Sequence, residues 1–137
     1  MFGFNDMTGV RIDTSCKDKF TEEKKELFDI YTNICIAITD ENIQILNNSI
    51  PTKNIKSIIG ANKTKEKWIE EIQKQIIKYY GIEILKIRIN IKGNTATIKA
   101  TNKVRAKLYE YRGSWIVDSY LILEKDNNDW IVKEILI

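Results

Sequence analysis

The chain contains no histidine, which removes the residue on which most zinc, haem and Ser-His-Asp sites depend. Its two cysteines, Cys16 and Cys35, stand in neither a CxxC motif nor another metal-ligand spacing, so we interpret them as free thiols. The longest apolar run, residues 34–38, is far too short to cross a bilayer. We therefore expect no metal, no cofactor and no membrane span.

A strong charge of either sign is also missing. The net charge of +3 is too small to dictate an acidic partner, which makes nucleic acid an unexpected ligand. The first residues lack the basic region and apolar stretch of a secretory signal, so a cytoplasmic location is the default expectation. With 137 residues, 43% of them hydrophobic, the chain has the size and composition of one globular domain.

Residues 85–123 predict three antiparallel strands whose apolar side chains share one face. The first turn is indicated by residues 92–95, Lys-Gly-Asn-Thr, because Gly and Asn accept the positive φ of a two-residue hairpin loop. This turn pairs Ile91 with Ala96 and, further along, Leu85 with Asn102. A slip of one residue would reverse every side chain, so a shared apolar face supports this register.

The second turn is expected at Arg112-Gly113, which pairs Leu108 with Val117 and Asn102 with Leu123. A last hairpin is expected through residues 126–129, with a returning strand over residues 130–137. Its register would pair Ile135 with Tyr120 on the outer face. Together these strands predict a curved sheet with an apolar inner wall.

Three helices are predicted before this sheet. The first begins after Thr21 as N-cap, and its apolar stripe recurs at three and four residues: Leu27, Ile30, Tyr31, Ile34 and Ile38. A second, short helix follows residues 39–42 and ends before Pro51. The third runs from Thr64 to a cap at Gly81, with its apolar residues inward: Trp68, Ile69, Ile72, Ile76 and Tyr79 or Tyr80. Residues 55–59 suggest a short strand that stops at Gly60.

This order of elements resembles the nuclear transport factor 2-like superfamily, and within it the SnoaL-like small bacterial domains. The resemblance rests on residues 39–42, 60–68, 92–98 and 123–132, the last containing Trp130. It implies an α+β, cystatin-like fold in which a cone-shaped antiparallel sheet wraps around N-terminal helices. It also implies a single domain over residues 21–137, with residues 1–20 as an N-terminal arm or edge segment. Members of this superfamily include isomerases, cyclases, dehydratases and binding domains, and many dimerise through the outer sheet face.

A ligand pocket is expected inside the cone. The residues predicted to line it are aromatic or polar side chains on the inner face or the inward sides of the helices: Tyr31, Trp68, Tyr80, Asn102, Trp115 and Ser119. Glu110 and Glu134 are weak candidates for general bases, with Tyr31 as a proton donor, because apolar surroundings would raise a carboxyl pKa. Each of these residues also has a purely structural interpretation as core or rim.

The outer face divides into a basic half and an apolar half. The basic half collects seven cations: Lys86, Arg88, Lys92, Lys99, Lys103, Arg105 and Lys107. The apolar half is predicted to be a homodimer interface formed by Tyr109, Ile116, Tyr120, Ile122 and Ile135. The predicted register also places Asp118 opposite Lys107 and Arg105 opposite Tyr120, which would explain these charges without chemistry.

Three hypotheses follow from the sequence. The first is a non-enzymatic, dimeric domain that holds a small apolar ligand or a protein partner. The second is a SnoaL-like isomerase or lyase that uses a pocket carboxylate as base. The third is nucleic-acid binding through the basic outer face with Tyr109 and Tyr120 as stacking platforms.

Overall fold

The computed structural model describes residues 9–12, 19–50, 54–56 and 62–136. Three helices lie in these ranges: α1 Glu22–Thr39, α2 Ile43–Ser49 and α3 Lys65–Gln73. Seven strands accompany them: β1 Gly9–Ile12, β2 Asn54–Lys56, β3 Asn62–Thr64, β4 Ile77–Lys92, β5 Thr95–Leu108, β6 Tyr111–Asp126 and β7 Asp129–Leu136. The strands form one sheet in the order β1-β4-β5-β6-β7-β2-β3. None of the described helices combines the length and apolar character that crossing a membrane requires.

The helix starts follow the predicted caps. The side chains of Thr21, Asn42 and Thr64 each accept a hydrogen bond from the backbone N–H three residues later. The α1 stripe is buried from Leu27 to Ile38 apart from Ile30, which is partly buried, and Tyr31 is fully enclosed. This helix packs against β4 and β1 and covers the inner face of the sheet.

The third helix is shorter than predicted. It ends at Gln73 rather than near Gly81, and Gln75 turns the chain with a φ of +61° before β4 begins. Residues 76–80 are rich in β-branched and aromatic side chains, which suit a strand, and alternation then replaces helical spacing. As a result, Tyr79 lies inside and Tyr80 outside.

The first hairpin has the predicted register near its turn. Ile91 pairs with Ala96, Ile89 with Ile98 and Ile87 with Ala100. The predicted pairing of Leu85 with Asn102 is wrong, because a bulge places Ile84 opposite Asn102 and leaves Leu85 half exposed.

The second hairpin turns at residues 109–110, not at Arg112-Gly113. Leu108 pairs with Tyr111, and Asn102 pairs with Val117 instead of Leu123. Tyr109 adopts a φ of +59° in this turn, and its N–H donates a hydrogen bond to the Ile76 carbonyl over 2.8 Å. The strand register differs from the prediction by six residues, an even number, so the same side chains still face inward.

The last hairpin closes through Asn127 and Asn128, both with positive φ, as a type I′ loop requires. A register shift between Ile122 and Leu123 then moves the rest of β7 by one residue. Ile135 consequently pairs with Leu121 and is fully buried, so its predicted place on the outer face is wrong. Leu136 takes that place beside Tyr120.

The two ends of the sheet are short strands. Gly9–Ile12 of β1 pairs in parallel with residues 81–84 of β4, so part of the predicted arm or edge segment is an edge strand. At the other end, β2 pairs with β7 and β3. The predicted strand over residues 55–59 overlaps β2, and its stop at Gly60 lies outside the described residues.

Candidate functional site

A cluster of polar side chains lies inside the otherwise apolar core. Asn102 of β5 donates from its amide nitrogen to the Tyr31 hydroxyl oxygen of α1 over 2.7 Å and to Ser119 Oγ of β6 over 3.0 Å. All three residues are at most 3% exposed. The structure thus brings together three of the six residues predicted to line a pocket. We call Tyr31, Cys35, Trp68, Tyr79, Asn102 and Ser119 the interior polar cluster.

Three buried atoms of this cluster lack a hydrogen bond of good geometry: Trp68 Nε1, the Tyr79 hydroxyl oxygen and Asn102 Oδ1. The first two lie close enough to interact weakly with each other, whereas Asn102 Oδ1 has no partner. Folded proteins leave few such atoms, because each costs about 1–3 kcal/mol when buried unpaired. For Asn102 the imbalance survives an exchange of its amide N and O, since one end meets two hydroxyls and the other meets none. The cluster therefore has unused capacity for both donors and acceptors.

The cluster is electrically neutral near pH 7. Burial raises the pKa of the Cys35 thiol to about 12, although a hydrogen bond with Tyr31 opposes this. Burial likewise raises the pKa of the Tyr79 phenol to about 12, although its interaction with the Trp68 indole opposes this. Burial, together with the neighbouring Cys35, raises the pKa of the Tyr31 phenol well above its ordinary value. These groups can give and accept hydrogen bonds, but they carry no charge for acid–base catalysis at neutral pH.

Two residues predicted for the pocket do not belong to its polar centre. Tyr80 is the extra residue of a bulge in β4 and lies on the outer face, which corrects its predicted inward position. Trp115 is on the inner side of β6, where its indole packs over Gly113, but it is 37% exposed. Trp68 is fully buried, as expected for an inward residue of α3.

The two candidate bases lie elsewhere. Glu110 occupies the exposed turn between β5 and β6. Glu134 lies on the outer face opposite Ile122 and accepts a hydrogen bond from the Tyr120 hydroxyl over 2.7 Å. Its predicted inner position is wrong because the β7 register shift reverses its side.

Three further buried residues were not among those predicted to line the pocket. Cys35 follows Tyr31 by one helical turn, a spacing that could have placed it in the stripe. Tyr79 was one of two alternatives, and only the end of α3 decides between them. Glu71 of α3 is 4% exposed, with the Tyr109 hydroxyl 3.5 Å from its Oε2. The spacing of apolar residues does not predict that a carboxylate is buried.

The outer face carries the other predicted surface. Ile116 is 62% exposed, and Tyr120 and Ile122 are half-buried along the same strand. Tyr109 lies in the turn and contacts Glu71, which separates it from this row. Asp118 pairs with Thr101, whose hydroxyl donates to Asp118 Oδ1 over 2.9 Å, and Arg105 pairs with Ser114, so both predicted charge pairings are wrong.

Beside this row lies a shallow groove of about 430 Å³. Its lining mixes cations with polar and apolar side chains: Lys86, Arg88, Lys99, Ala100, Thr101, Asp118, Ser119, Tyr120 and Leu136. Tyr120 thus borders the groove while binding Glu134, and it is not available as a free stacking platform. Among the described residues, no three His, Cys, Asp or Glu side chains converge as a metal site would require.

Comparison with known proteins identifies the architecture. Neither a protein-family profile nor a curated sequence matches the chain. Solved structures do match: an NTF2-like protein from Cytophaga hutchinsonii aligns with a TM-score of 0.75 at 14% identity, over 85% of this chain and 97% of that one. A ketosteroid isomerase-like protein from Erwinia carotovora atroseptica gives 0.66 at 10% identity, over 85% and 95%.

An NTF2-like protein with a cystatin-like fold from Novosphingobium aromaticivorans gives a TM-score of 0.63 at 10% identity, over 89% of this chain and 84% of that one. At these identities the similarity concerns the fold. The predicted fold class, and the predicted resemblance to nuclear transport factor 2-like proteins at the level of the fold, are thereby confirmed. A curved sheet closed over its N-terminal helices places this chain among the proteins with the nuclear transport factor 2-like, cystatin-like fold.

Proposed function

We propose that this domain is a non-enzymatic binding protein that holds a small neutral molecule inside the curved sheet. The observation that carries the proposal is the buried Asn102 Oδ1, which has no hydrogen-bond partner, beside a Trp68 indole and a Tyr79 hydroxyl that meet no partner other than each other. An indole N–H can only donate, whereas a phenol hydroxyl can donate and accept. A ligand with one hydroxyl or carbonyl group would use this capacity.

The surroundings define the rest of the ligand. Apolar residues of β5 and β6 flank Asn102 and Ser119, and they are all at most 4% exposed: Ile98, Ala100, Val104 and Leu121. Such a wall favours an apolar ligand body with few polar groups. One structural neighbour is described as ketosteroid isomerase-like, and this description agrees with a ligand inside a related sheet.

Catalysis receives less support. The alternative of an isomerase or lyase needs a base near Tyr31, and both candidate carboxylates, Glu110 and Glu134, lie away from the interior polar cluster. The phenols and the thiol of the cluster stay protonated at neutral pH. A site of this composition would bind a ligand through hydrogen bonds and complementary shape.

Phenol and toluene provide a matched pair of probes, since they differ by a hydroxyl in place of a methyl group. We expect phenol to bind the wild-type protein about fivefold more tightly than toluene, because one net hydrogen bond is worth about 1 kcal/mol. Asn102→Leu should abolish this preference. Chemical-shift titration of the Trp68 indole N–H measures both affinities.

Asn90→Leu is the control, because Asn90 is exposed on β4 and the same substitution there leaves the interior unchanged. It should retain the preference for phenol. Thermal unfolding verifies that each variant is folded. Equal affinities for the two probes, or no binding of either at millimolar concentration, would contradict an interior ligand site.

We further propose that the protein forms a homodimer through the outer face of β6 and β7. Ile116 is mostly exposed, and Tyr120, Ile122 and Leu136 form an apolar row with it that is interrupted by the exposed Asp118. A twofold interface opposes a patch to its own copy, so an apolar row suits it better than the basic half of the face. Leu136 replaces the predicted Ile135, and the row therefore keeps its length.

A further inference from the structure

A second basic feature lies on the outer face, at the end of the sheet near the β5–β6 turn. The bulge in β4 presents Tyr80 outward, and three cations surround its ring. The guanidinium carbons of Arg105 and Arg112 each lie 6.0 Å from the ring centroid, and Lys78 Nζ lies 5.8 Å from it. We call these four residues the Tyr80 cradle.

The register makes this concentration of charge costly. Lys107 pairs directly with Lys78 on one side and with Arg112 on the other, which places three cations in one row across three strands. Like charges directly opposite in a sheet destabilise it. Cation–aromatic contacts with Tyr80 recover only part of this cost at an exposed site.

Among the described residues, partners that offset this positive charge reach Lys78 and Lys107 but not Arg112. Lys78 forms an ion pair with Glu41 over 3.1 Å, and Lys107 donates to the Gln75 carbonyl over 3.1 Å. Arg112 is exposed and makes no ion pair with any residue in the described part of the chain. Its guanidinium therefore keeps its donors for a molecule from outside.

The space beside these groups suits an anion. A cavity of about 290 Å³ is lined by Tyr80, Arg105, Ala106, Arg112, Gly113 and Ser114. Two guanidinium groups and one hydroxyl border it, and the lining contains no carboxylate. Guanidinium forks match the geometry of phosphate oxygens and bind them in pairs.

We propose that the Tyr80 cradle binds the phosphate group of a small phosphorylated molecule. Arg105 and Arg112 donate to the phosphate oxygens from two strands, the Ser114 hydroxyl adds a donor, and the Tyr80 ring holds both guanidinium groups in place. This site is on the opposite side of the sheet from the interior polar cluster. It adjoins the proposed homodimer interface, because Ser114 and Ile116 lie two residues apart on the same face of β6.

Pyrophosphate is the probe, titrated at constant ionic strength while the Nε–Hε resonances of Arg105 and Arg112 are followed by NMR. We expect saturable shifts at both residues and about tenfold weaker binding by Arg112→Gln, the loss of one charge-assisted contact. Arg112→Lys should be nearly as weak, because an ammonium keeps the charge without the fork. Lys92→Gln removes an exposed cation from the far end of the same face and should change the affinity less than twofold.

Equal weakening by Lys92→Gln and Arg112→Gln would overturn the site, since it would show that general charge attraction holds an adventitious ion only. Full binding by Arg112→Lys would equally overturn the guanidinium clamp. A single-stranded oligonucleotide that binds far more tightly than pyrophosphate, and loses affinity equally in the Arg112 and Lys92 variants, would show a polyanion surface in its place. A monomeric Ile116→Glu variant that still binds pyrophosphate would separate this site from the dimer.

Discussion

Cys35 and Tyr79 are weak acids that the fold buries completely in their protonated forms. The Cys35 thiol has its pKa raised from 9.0 to about 12, and the Tyr79 phenol has its pKa raised from 10.0 to about 12, both by burial. The folded state therefore holds these protons more tightly than the unfolded chain does. The free energy of unfolding that these raised pKa values contribute is fully present below pH 9 and is lost as the pH rises toward 12.

We expect the free energy of unfolding to fall above pH 9 by up to about 1.4 kcal/mol per pH unit for each such group. Cys35 should titrate first in the unfolded chain, so Cys35→Ala should flatten the curve between pH 9 and 10 in particular. Urea unfolding at a series of pH values measures this. Parallel curves for the variant and the wild type would contradict the assignment, whatever the cost of the small cavity at pH 7.

At the scale of elements, the hairpin turns decide how the strands pair. Gly93 has a φ of +63° and opens onto free space, with no atom within 4 Å of the position that a Cβ would take. The backbone conformation, and not crowding, therefore demands glycine there. Asn94, the other loop residue, has no positive φ.

Gly93→Val should lower the free energy of unfolding by about 1–2 kcal/mol, the usual cost of a left-handed conformation for a residue with a Cβ. Asn94→Val in the same loop should cost much less, and it serves as the control. Chemical denaturation compares the two variants. Similar losses in both would mean that crowding or polarity, and not φ, governs the turn.

The sequence allowed the helix starts and the inner face to be predicted, because caps and alternation are local. It did not reveal the second turn. Gly113 looked like a turn residue, yet it is small because the Trp115 ring packs across it, 3.2 Å from where a Cβ would lie. The true turn uses Tyr109, whose positive φ is supported by a hydrogen bond to distant Ile76.

The candidate site, like the fold, could be predicted only in part. Asn102 and Ser119 face inward as predicted, because the six-residue register error preserved their face, and Tyr31 is buried against them. That they line a ligand pocket stays a prediction. Tyr80, Glu134 and Ile135 were placed on the wrong side. A bulge or a register shift adds one residue to a strand, so the side chains beyond it point to the opposite face. Neither feature leaves a signal in a single sequence.

At the scale of the whole molecule, the proposed homodimer makes the clearest prediction. Ile116 pairs with Lys103 across the sheet, so Ile116→Glu places a carboxylate opposite an ammonium and should keep the monomer folded. The same charge would face its own copy in a twofold interface. We expect the wild type to sediment as a dimer at micromolar concentration and this variant as a monomer.

Ile45→Glu provides the matched control, because Ile45 is 42% exposed on α2, away from the outer sheet face. It should leave the dimer intact. Sedimentation velocity on the three proteins gives the answer. A monomeric wild type, or an Ile116→Glu variant that remains dimeric, would contradict the proposed interface.

Within the described residues, the long strand β4 has a strand partner along only part of the edge that it turns away from β5. Strand β1 pairs with residues 81–84, and no other described strand covers residues 85–92 on that side. This stretch carries exposed Lys86, Arg88 and Lys92, and Arg88 faces Lys99 at some cost to stability. Cations on an open edge repel the same edge of another copy, which blocks the strand-by-strand stacking that begins a fibril. The same charges that weaken strand pairing inside the sheet thus disfavour the addition of a further chain along this stretch of β4.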